Sequence, residues 1–124
     1  MRTALDWDPE GVTGVRRLWA TPETIAKLVA HLPHVTALAL REGLTHAHVE
    51  ALIPLAEQGK LKKLVQLDLR NNPEITEPKR LIVLAQALQK SSPAFKRLML
   101  AGTGIEKNGW NLLLDELPDL TLAR

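Results

Sequence analysis

The sequence has 124 residues, a formal net charge of +2, and a hydrophobic fraction of 45%. This length predicts one domain over residues 1–124, and the small net charge gives no support to any class of partner. The absence of cysteine excludes a disulfide framework and thiolate chemistry. Acidic residues near the start and the lack of a long apolar run favour a cytoplasmic protein with no membrane contact.

Strands and helices are predicted to alternate along the first half of the chain. A strand over residues 15–20 is followed by a helix that starts at residues 21–23, where a hydroxyl, a proline and an acid suit the N-cap and first turn. Pro33 ends that helix, and a second strand covers residues 35–40. The next helix begins at Thr45 and ends at Gly59. Pro54 is predicted to kink or divide it, because its ring clashes with the preceding turn.

The same alternation continues through the second half. A central strand covers residues 64–69, and a helix starts at residues 76–78, where a proline again occupies the first turn. Residues 91–93 end this helix, and a fourth strand follows over residues 95–100. The last helix lies within residues 104–117, and the predicted elements then end with a short strand over residues 120–122.

A repeated frame connects these strands. Residues 64–72 have the pattern L-x-x-L-x-L-x-x-N, in which three leucines point inward and Asn72 closes the turn. The same frame recurs at Val35, Leu38, Leu40 and Gly43, at Phe95, Leu98, Leu100 and Thr103, and in part at Val15 and Leu18 and at Leu117, Leu120 and Leu122. The second frame positions, Leu18, Leu38, Leu67, Leu98 and Leu120, are separated by 20, 29, 31 and 22 residues.

This pattern resembles a leucine-rich repeat protein of the ribonuclease-inhibitor-like subtype. Ile105, Gly109 and Leu113 also match the helical continuation of that subtype, and the resemblance covers roughly residues 15–122. It implies an α/β fold, a short right-handed solenoid with a curved parallel sheet of about five strands on its concave side and helices on its convex side. Because a terminal repeat must cover the open end of the stack, we expect residues 1–14 to form an irregular cap with Trp7 as its plug.

Alternation along the strands places the residues between the frame leucines on the exposed side of the sheet. The central column of this surface is predicted to contain Trp19, Ala39, Asp68, Met99 and Thr121. Tryptophan and arginine are enriched at binding hot spots, which suggests a protein or peptide partner with acidic character. Alternatively these are solvated strand residues, with Asp68 paired to Arg41, Arg70 or Arg97. The predicted partner-binding residues are Arg17, Trp19, Arg41, Gln66, Asp68, Arg70, Arg97 and Met99.

Other residue clusters give weaker signals. The four histidines, at positions 31, 34, 46 and 48, are separated into two pairs by a predicted strand, which argues against one shared zinc site. Residues 101–104 are glycine-rich but lack the lysine of a phosphate-binding loop, and no catalytic motif is present. We therefore expect no catalytic residue, cofactor or metal. Basic residues precede or begin the strands and favour a solvated rim over a nucleic-acid site: Lys60, Lys62, Lys63, Lys90, Lys96 and Arg97.

The leading function hypothesis is a non-enzymatic protein-protein interaction module, or scaffold, that binds its partner on the concave sheet. Two rivals stay open: a regulator of a partner enzyme such as a small GTPase, which the family resemblance suggests, and a nucleic-acid binder that uses the basic edge. The strand over residues 120–122 leaves a sheet edge exposed. We expect this strand either to associate with another chain or a second copy, or to be blunted by its shortness and Arg124.

Overall fold

Strands and helices alternate along most of the chain. The structure is a computed structural model that describes residues 4–7, 12–16, 21–30, 34–41 and 43–123. The strands are β1 (Ala4–Trp7), β2 (Val12–Arg16), β3 (Ala37–Arg41), β4 (Gln66–Asp68), β5 (Arg97–Met99) and β6 (Thr121–Ala123). The helices are α1 (Pro22–Ala30), α2 (His46–Glu57), α3 (Pro78–Ser91) and α4 (Lys107–Glu116).

The strands form one six-stranded sheet in chain order. β1 pairs with β2 antiparallel, and each later strand pairs parallel with the strand before it. One helix connects each pair of consecutive parallel strands, and the helices pack on one another in the same order. The predicted α/β class is therefore confirmed.

The sheet register supports the predicted frame in the middle of the chain. Leu38 pairs with Leu67, and Leu67 pairs with Leu98, as the frame predicts. In the last strand the prediction was wrong, because Leu98 pairs with Leu122 rather than Leu120. A shift of two residues keeps the in-and-out alternation of a strand, so the leucine period alone cannot separate these two alignments.

The first repeat differs more. Thr13, not Leu18, pairs with Leu38, and the first parallel strand is β2 rather than residues 15–20. The sequence predicted no regular element in residues 1–14. In the structure, β1 pairs antiparallel with β2 and so hydrogen-bonds the edge of β2 that faces away from β3. Both strands are too short to show a clear period, although Pro9 and Gly11 between them are turn-forming residue types. Whether residues 1–14 act as a cap stays a prediction.

A single apolar core lies between the sheet and the helices. The inward strand residues Leu38, Leu67 and Leu98 are at most 2% exposed. They join one cluster with the inner faces of the helices, which contribute Ile25, Val29, Val49, Leu52, Leu81, Leu84, Leu88 and Leu113. Because these apolar residues recur at helical spacing, each helix buries one stripe against the strands it connects.

The helix boundaries follow the predicted signals. Thr21 caps α1 through a hydrogen bond from the Thr24 N–H, and Thr45 is the N-cap of α2. Gly59 follows α2 in the left-handed region, with φ +74°. The predicted division of α2 at Pro54 was wrong, because the helix is continuous from His46 to Glu57. Pro54 is exposed, which leaves its ring directed away from the core.

Asn72 closes the turn after β4, as the frame predicts. Its side chain is fully buried, and Nδ2 donates to the carbonyls of Leu69, 2.9 Å away, and Leu40, 2.7 Å away. Oδ1 accepts from the N–H groups of Gly43 and Leu44, at 3.1 and 2.8 Å. One amide thus satisfies backbone groups in two successive repeats, which sets the relative position of β3 and β4.

Candidate interaction surface

The face of the sheet opposite the helices presents the residues that alternate with the buried leucines. We call the part of it in β4 to β6 the sheet face, and it is built from two columns of paired positions. The outer column contains Gln66, Arg97 and Thr121, and the middle column contains Asp68, Met99 and Ala123. Neighbouring strands lie about 4.8 Å apart, so each column is a continuous row of side chains.

The observed middle column differs from the predicted one at both ends. Ala123 pairs with Met99 where Thr121 was expected, and Gly14 occupies the position beside Ala39 that was assigned to Trp19. Thr121 instead lies next to Arg97 and becomes part of the outer column. The signal for this was Pro118 with Asp119, turn-forming residues that place the strand start later than Leu120.

Arg97 is the exposed cation of the sheet face. It lies between Gln66 and Thr121 in the register, and its side chain is exposed. In the described part of the chain, Arg97 makes no ion pair. Its guanidinium therefore keeps its hydrogen-bond donors available to a ligand.

Asp68 and Arg70 form a forked ion pair beside Arg97. Arg70 Nε donates to Asp68 Oδ1 at 2.9 Å, and Nη2 donates to Oδ2 at 2.8 Å. The backbone N–H of Arg70 also donates to Oδ1 at 3.0 Å. The side chain of Asp68 is 2% exposed, whereas that of Arg70 is 38% exposed. Hydrogen bonding to Asp68, with the attraction of its charge, raises the pKa of Arg70 above its ordinary value.

This pair changes the expected role of both residues. Asp68 lies on the sheet face but is 2% exposed, with both carboxylate oxygens bonded to the Arg70 guanidinium. The sequence left Arg41, Arg70 and Arg97 open as partners of Asp68, and the structure shows the bond to Arg70. The fork uses Nε and one Nη2 hydrogen, so Arg70 retains outward N–H groups that Asp68 holds in a fixed orientation.

The remaining predicted site residues are described less fully. Arg17 and Trp19 lie outside the described residues. The backbone of Arg41 ends β3, and its register partner in β2 is Arg16. Gln66 and Met99 are partly buried in the outer and middle columns. The sheet face thus brings together Gln66, Asp68, Arg70, Arg97 and Met99 of the predicted set.

No protein-family model matches the sequence, and no curated protein matches it either. The interpretation of the sheet face accordingly depends on its own residues and geometry. Within the described residues, no helix has both the length and the apolar character required to cross a bilayer.

The histidines of the described segments contribute to turns. The Thr45 N–H donates to His48 Nδ1 at 3.2 Å, and the Thr45 hydroxyl is 2.9 Å from the same nitrogen. His46 Nε2 accepts from the Thr76 N–H at 3.3 Å, which joins two successive repeats. His48 therefore takes the place that glutamate or glutamine holds in a capping box, a substitution that sequence reasoning missed.

A row of lysines extends from the sheet face along the edge where the parallel strands begin. Its members are exposed and make no ion pair within the described ranges: Lys60, Lys62, Lys63, Lys90 and Lys96. The Lys96 N–H donates to the Val65 carbonyl, which places it at the start of β5 directly before Arg97. We call this row the basic edge. It gives the sheet face a cationic border.

Proposed function

We propose that the protein is a non-enzymatic interaction module that binds an acidic segment of a partner protein or peptide on the sheet face. In this proposal the chain is a short leucine-rich-repeat solenoid of the ribonuclease-inhibitor-like subtype and acts in the cytoplasm. The succession of parallel strands and helices supports the solenoid, because each unit stacks on the one before it. The observation that carries the binding function is Arg97, exposed and unpaired among the described residues at the centre of the outer column.

The sheet face offers complementary groups to an acidic segment. Arg97 binds a carboxylate through its planar fork of N–H groups, a geometry that lysine cannot reproduce. Gln66 and Thr121, on either side, supply an amide and a hydroxyl that hydrogen-bond polar groups of the ligand. Met99 adds an adaptable apolar contact in the neighbouring column. This combination favours a peptide with acids flanked by an apolar residue.

Arg70 acts as the second cation of this surface. Because Asp68 already holds its guanidinium, less conformational freedom is lost when the outward N–H groups bind a ligand. Its charge is largely offset by Asp68, so long-range attraction comes mainly from Arg97 and the basic edge. Such a positive border accelerates association with an acidic partner and makes the rate salt-dependent.

The test compares two single charge reversals. Arg97→Glu changes the sheet face, whereas Lys79→Glu makes the same kind of change on exposed α3. Immobilised wild type, R97E and K79E proteins are used to capture partners from a cell extract, with quantitative mass spectrometry. We expect acidic partners to be lost with R97E and retained with K79E. Arg70 is unsuited to charge reversal, because a glutamate there would lie against the buried carboxylate of Asp68.

Affinity for a captured partner then measures the contribution of Arg97. We expect R97E to weaken binding at least about tenfold, as for a hot-spot arginine, and R97K to give an intermediate loss. Equal affinity for wild type and R97E would place the binding site elsewhere. If the partner is an enzyme, its rate with wild type and R97E protein separates regulation from passive scaffolding.

The basic edge supports a second candidate, binding to nucleic acid. Its lysines are exposed and unpaired within the described residues, and they come from the last turn of α3 and the two connections that lead into β4 and β5. A double variant, K62E/K63E, tests it with single-stranded RNA and duplex DNA over a range of salt. A steep salt dependence that K62E/K63E reduces would favour this candidate, because binding to phosphates releases counterions. A shallow dependence equal in both proteins would exclude it.

A further inference from the structure

The last repeat presents an end face that no described element covers. A stripe of α4 lines this face at helical spacing: Lys107, Trp110, Asn111 and Leu114. With Leu122 of β6, the stripe forms a groove of about 490 Å³. Leu114 is 55% exposed, which is unusual among the leucines that the structure describes. We call this surface the end face.

β6 leaves a strand edge open beside the same groove. It pairs with β5 on one side, and within the described segments no strand pairs with its other side. An open edge can hydrogen-bond a further strand, and an apolar groove beside it can pack against the helix of that further unit. A molecule bound at the end face can therefore contact both the open strand edge of β6 and the exposed side of α4.

The charges of α4 are arranged against its own helix dipole. Lys107 is in the first turn, where an acid is favoured, and Asp115 and Glu116 are in the last turn, where a base is favoured. Glu106 does not offset Lys107 on the end face, because it lines a different groove with Thr76 and Pro78 on the α3 side. All three charges of α4 are exposed.

An antiparallel copy of α4 satisfies this arrangement. If two α4 helices lie side by side in opposite directions, the Lys107 of each copy lies beside Asp115 of the other. With Lys107 level with Asp115, the contact is centred on Asn111, and Leu114 of each helix packs against the first turn of its partner. The charge pattern that opposes the dipole of one helix therefore complements a second copy of it.

A single two-fold axis produces this contact in both layers. Antiparallel pairing of β6 with a second β6 requires a two-fold axis perpendicular to the sheet. The same rotation reverses the direction of α4 and leaves both helices on the same side of the extended sheet. The contact is isologous and closes on itself, so it produces a dimer and not a filament.

We propose that the end face binds a second copy of this chain, through antiparallel β6 strands and antiparallel α4 helices. A foreign strand would satisfy the β6 edge, but it would leave the reversed charges of Lys107 and Asp115 unexplained. The sheet face is a separate surface, so its acidic partner and the second copy bind at the same time.

The first experiment measures the oligomeric state of the 124-residue chain by sedimentation velocity over a range of concentrations. We expect a reversible dimer. Leu114→Glu should raise its dissociation constant at least about tenfold, because it places an unpaired charge in an apolar contact. Val83→Glu is the matched control, since Val83 is 49% exposed on α3, away from the end face. A wild-type chain that stays monomeric at all concentrations, or equal dissociation constants for L114E and V83E, would overturn the proposal.

A charge exchange then tests the antiparallel arrangement. K107E alone and D115K alone place like charges opposite each other and should both weaken the homodimer. An equimolar mixture restores opposite charges at both ends of the helix pair, so we expect a heterodimer with near wild-type affinity. A mixture no tighter than either variant alone would rule out this arrangement.

The same variants exclude unfolding as the cause of lost dimer. K107E puts an acid in the first turn of α4, and D115K puts a base in the last turn, so both changes favour the helix dipole. We therefore expect these charge variants to be monomers whose melting temperature equals or exceeds that of the monomeric L114E variant. The combination of an undiminished melting temperature and a lost dimer identifies a contact between copies. R97E, on the sheet face, should dimerise like wild type.

Discussion

Gly102 packs directly on Asn71. A Cβ atom added to Gly102 would lie 2.8 Å from Asn71 Oδ1 and 3.1 Å from its backbone nitrogen. Both residues have a left-handed backbone, with φ +78° at Gly102 and +64° at Asn71. The Asn71 N–H donates to the Ala101 carbonyl at 2.8 Å. The turns that follow β4 and β5 therefore stack in contact, and a side chain at position 102 would force Asn71 to shift.

Two glycine variants should separate backbone strain from close packing. Gly59 has nearly the same φ, +74°, but a Cβ there would meet nothing within 4 Å. We expect G59A to lower the free energy of unfolding by about 1 kcal/mol, the cost of a left-handed alanine. G102A should cost about 2–4 kcal/mol, because overpacking is added to that strain. Urea denaturation measures both, and equal losses would show that the two turns separate without cost.

The buried amide of Asn72 should contribute more stability than the residue at the same frame position one repeat later. Asn72 hydrogen-bonds backbone groups of Leu40, Gly43 and Leu44 across the repeat boundary. The hydroxyl of Thr103 donates only within its own turn, at 2.8 Å from the Leu100 carbonyl. We expect N72A to cost about 3 kcal/mol or more, because several buried groups lose their partner, and T103A about 1 kcal/mol.

Chemical denaturation of N72A and T103A checks this difference. N72D is an informative third variant, because its side chain keeps acceptors for the Gly43 and Leu44 N–H groups but cannot donate to Leu40. It should be less stable than wild type by an amount comparable to N72A. A loss for N72A no larger than that for T103A would mean that water replaces the amide.

The Asp68–Arg70 pair should depend on fork geometry as well as charge. Arg70→Lys keeps the positive charge but loses one of the two parallel hydrogen bonds, so we expect a loss of about 1 kcal/mol. Arg70→Gln removes the guanidinium charge bonded to the carboxylate of Asp68, which is 2% exposed, and should cost about 2–3 kcal/mol. The partial exposure of Arg70 screens the pair and keeps these values moderate.

The free energy of unfolding at neutral pH measures these variants, with R97K and R97Q as controls. Arg97 makes no ion pair in the described structure, so both controls should stay within about 0.5 kcal/mol of wild type. The raised pKa of Arg70 means that its stabilising contribution is complete below its ordinary pKa and is lost only at more alkaline pH. We therefore expect the difference between R97Q and R70Q to persist from neutral to mildly alkaline pH.

Sequence reasoning found the strongly periodic part of the fold. Leu38, Leu67 and Leu98 recur at nearly equal spacing within a full frame, so a single alignment satisfies all of them. The role of Asn72 was also predictable, because its amide can both donate to and accept from the backbone groups of the turn. Periodicity was sufficient here because the same physical requirement repeats in each unit.

The ends and the details of the sheet face could not be derived in the same way. Pairing Leu98 with Leu120 or with Leu122 places a leucine on the inner face of the sheet in both cases. The backbone pairing of β6 with β5 decides between the two registers. The partner of Asp68 was open as well, because alternation brings arginines from three strands to the same face. The bond to Arg70 depends on the turn after β4, which places its N–H and guanidinium on one carboxylate.

Pro54 offers a route to a more stable protein. It lies inside the continuous helix α2, is exposed, and has no N–H to donate to the carbonyl one turn earlier. We expect Pro54→Ala to raise the free energy of unfolding by about 1–2 kcal/mol, because the gain in helix propensity exceeds the added entropy of the unfolded chain. Pro22→Ala is the matched control: Pro22 is the first residue of α1, where proline suits the helix, so this change should lower stability by about 0.5 kcal/mol. Thermal and urea denaturation of both variants decide the matter, and a loss of stability in P54A would mean that the proline ring makes a contact on which α2 depends.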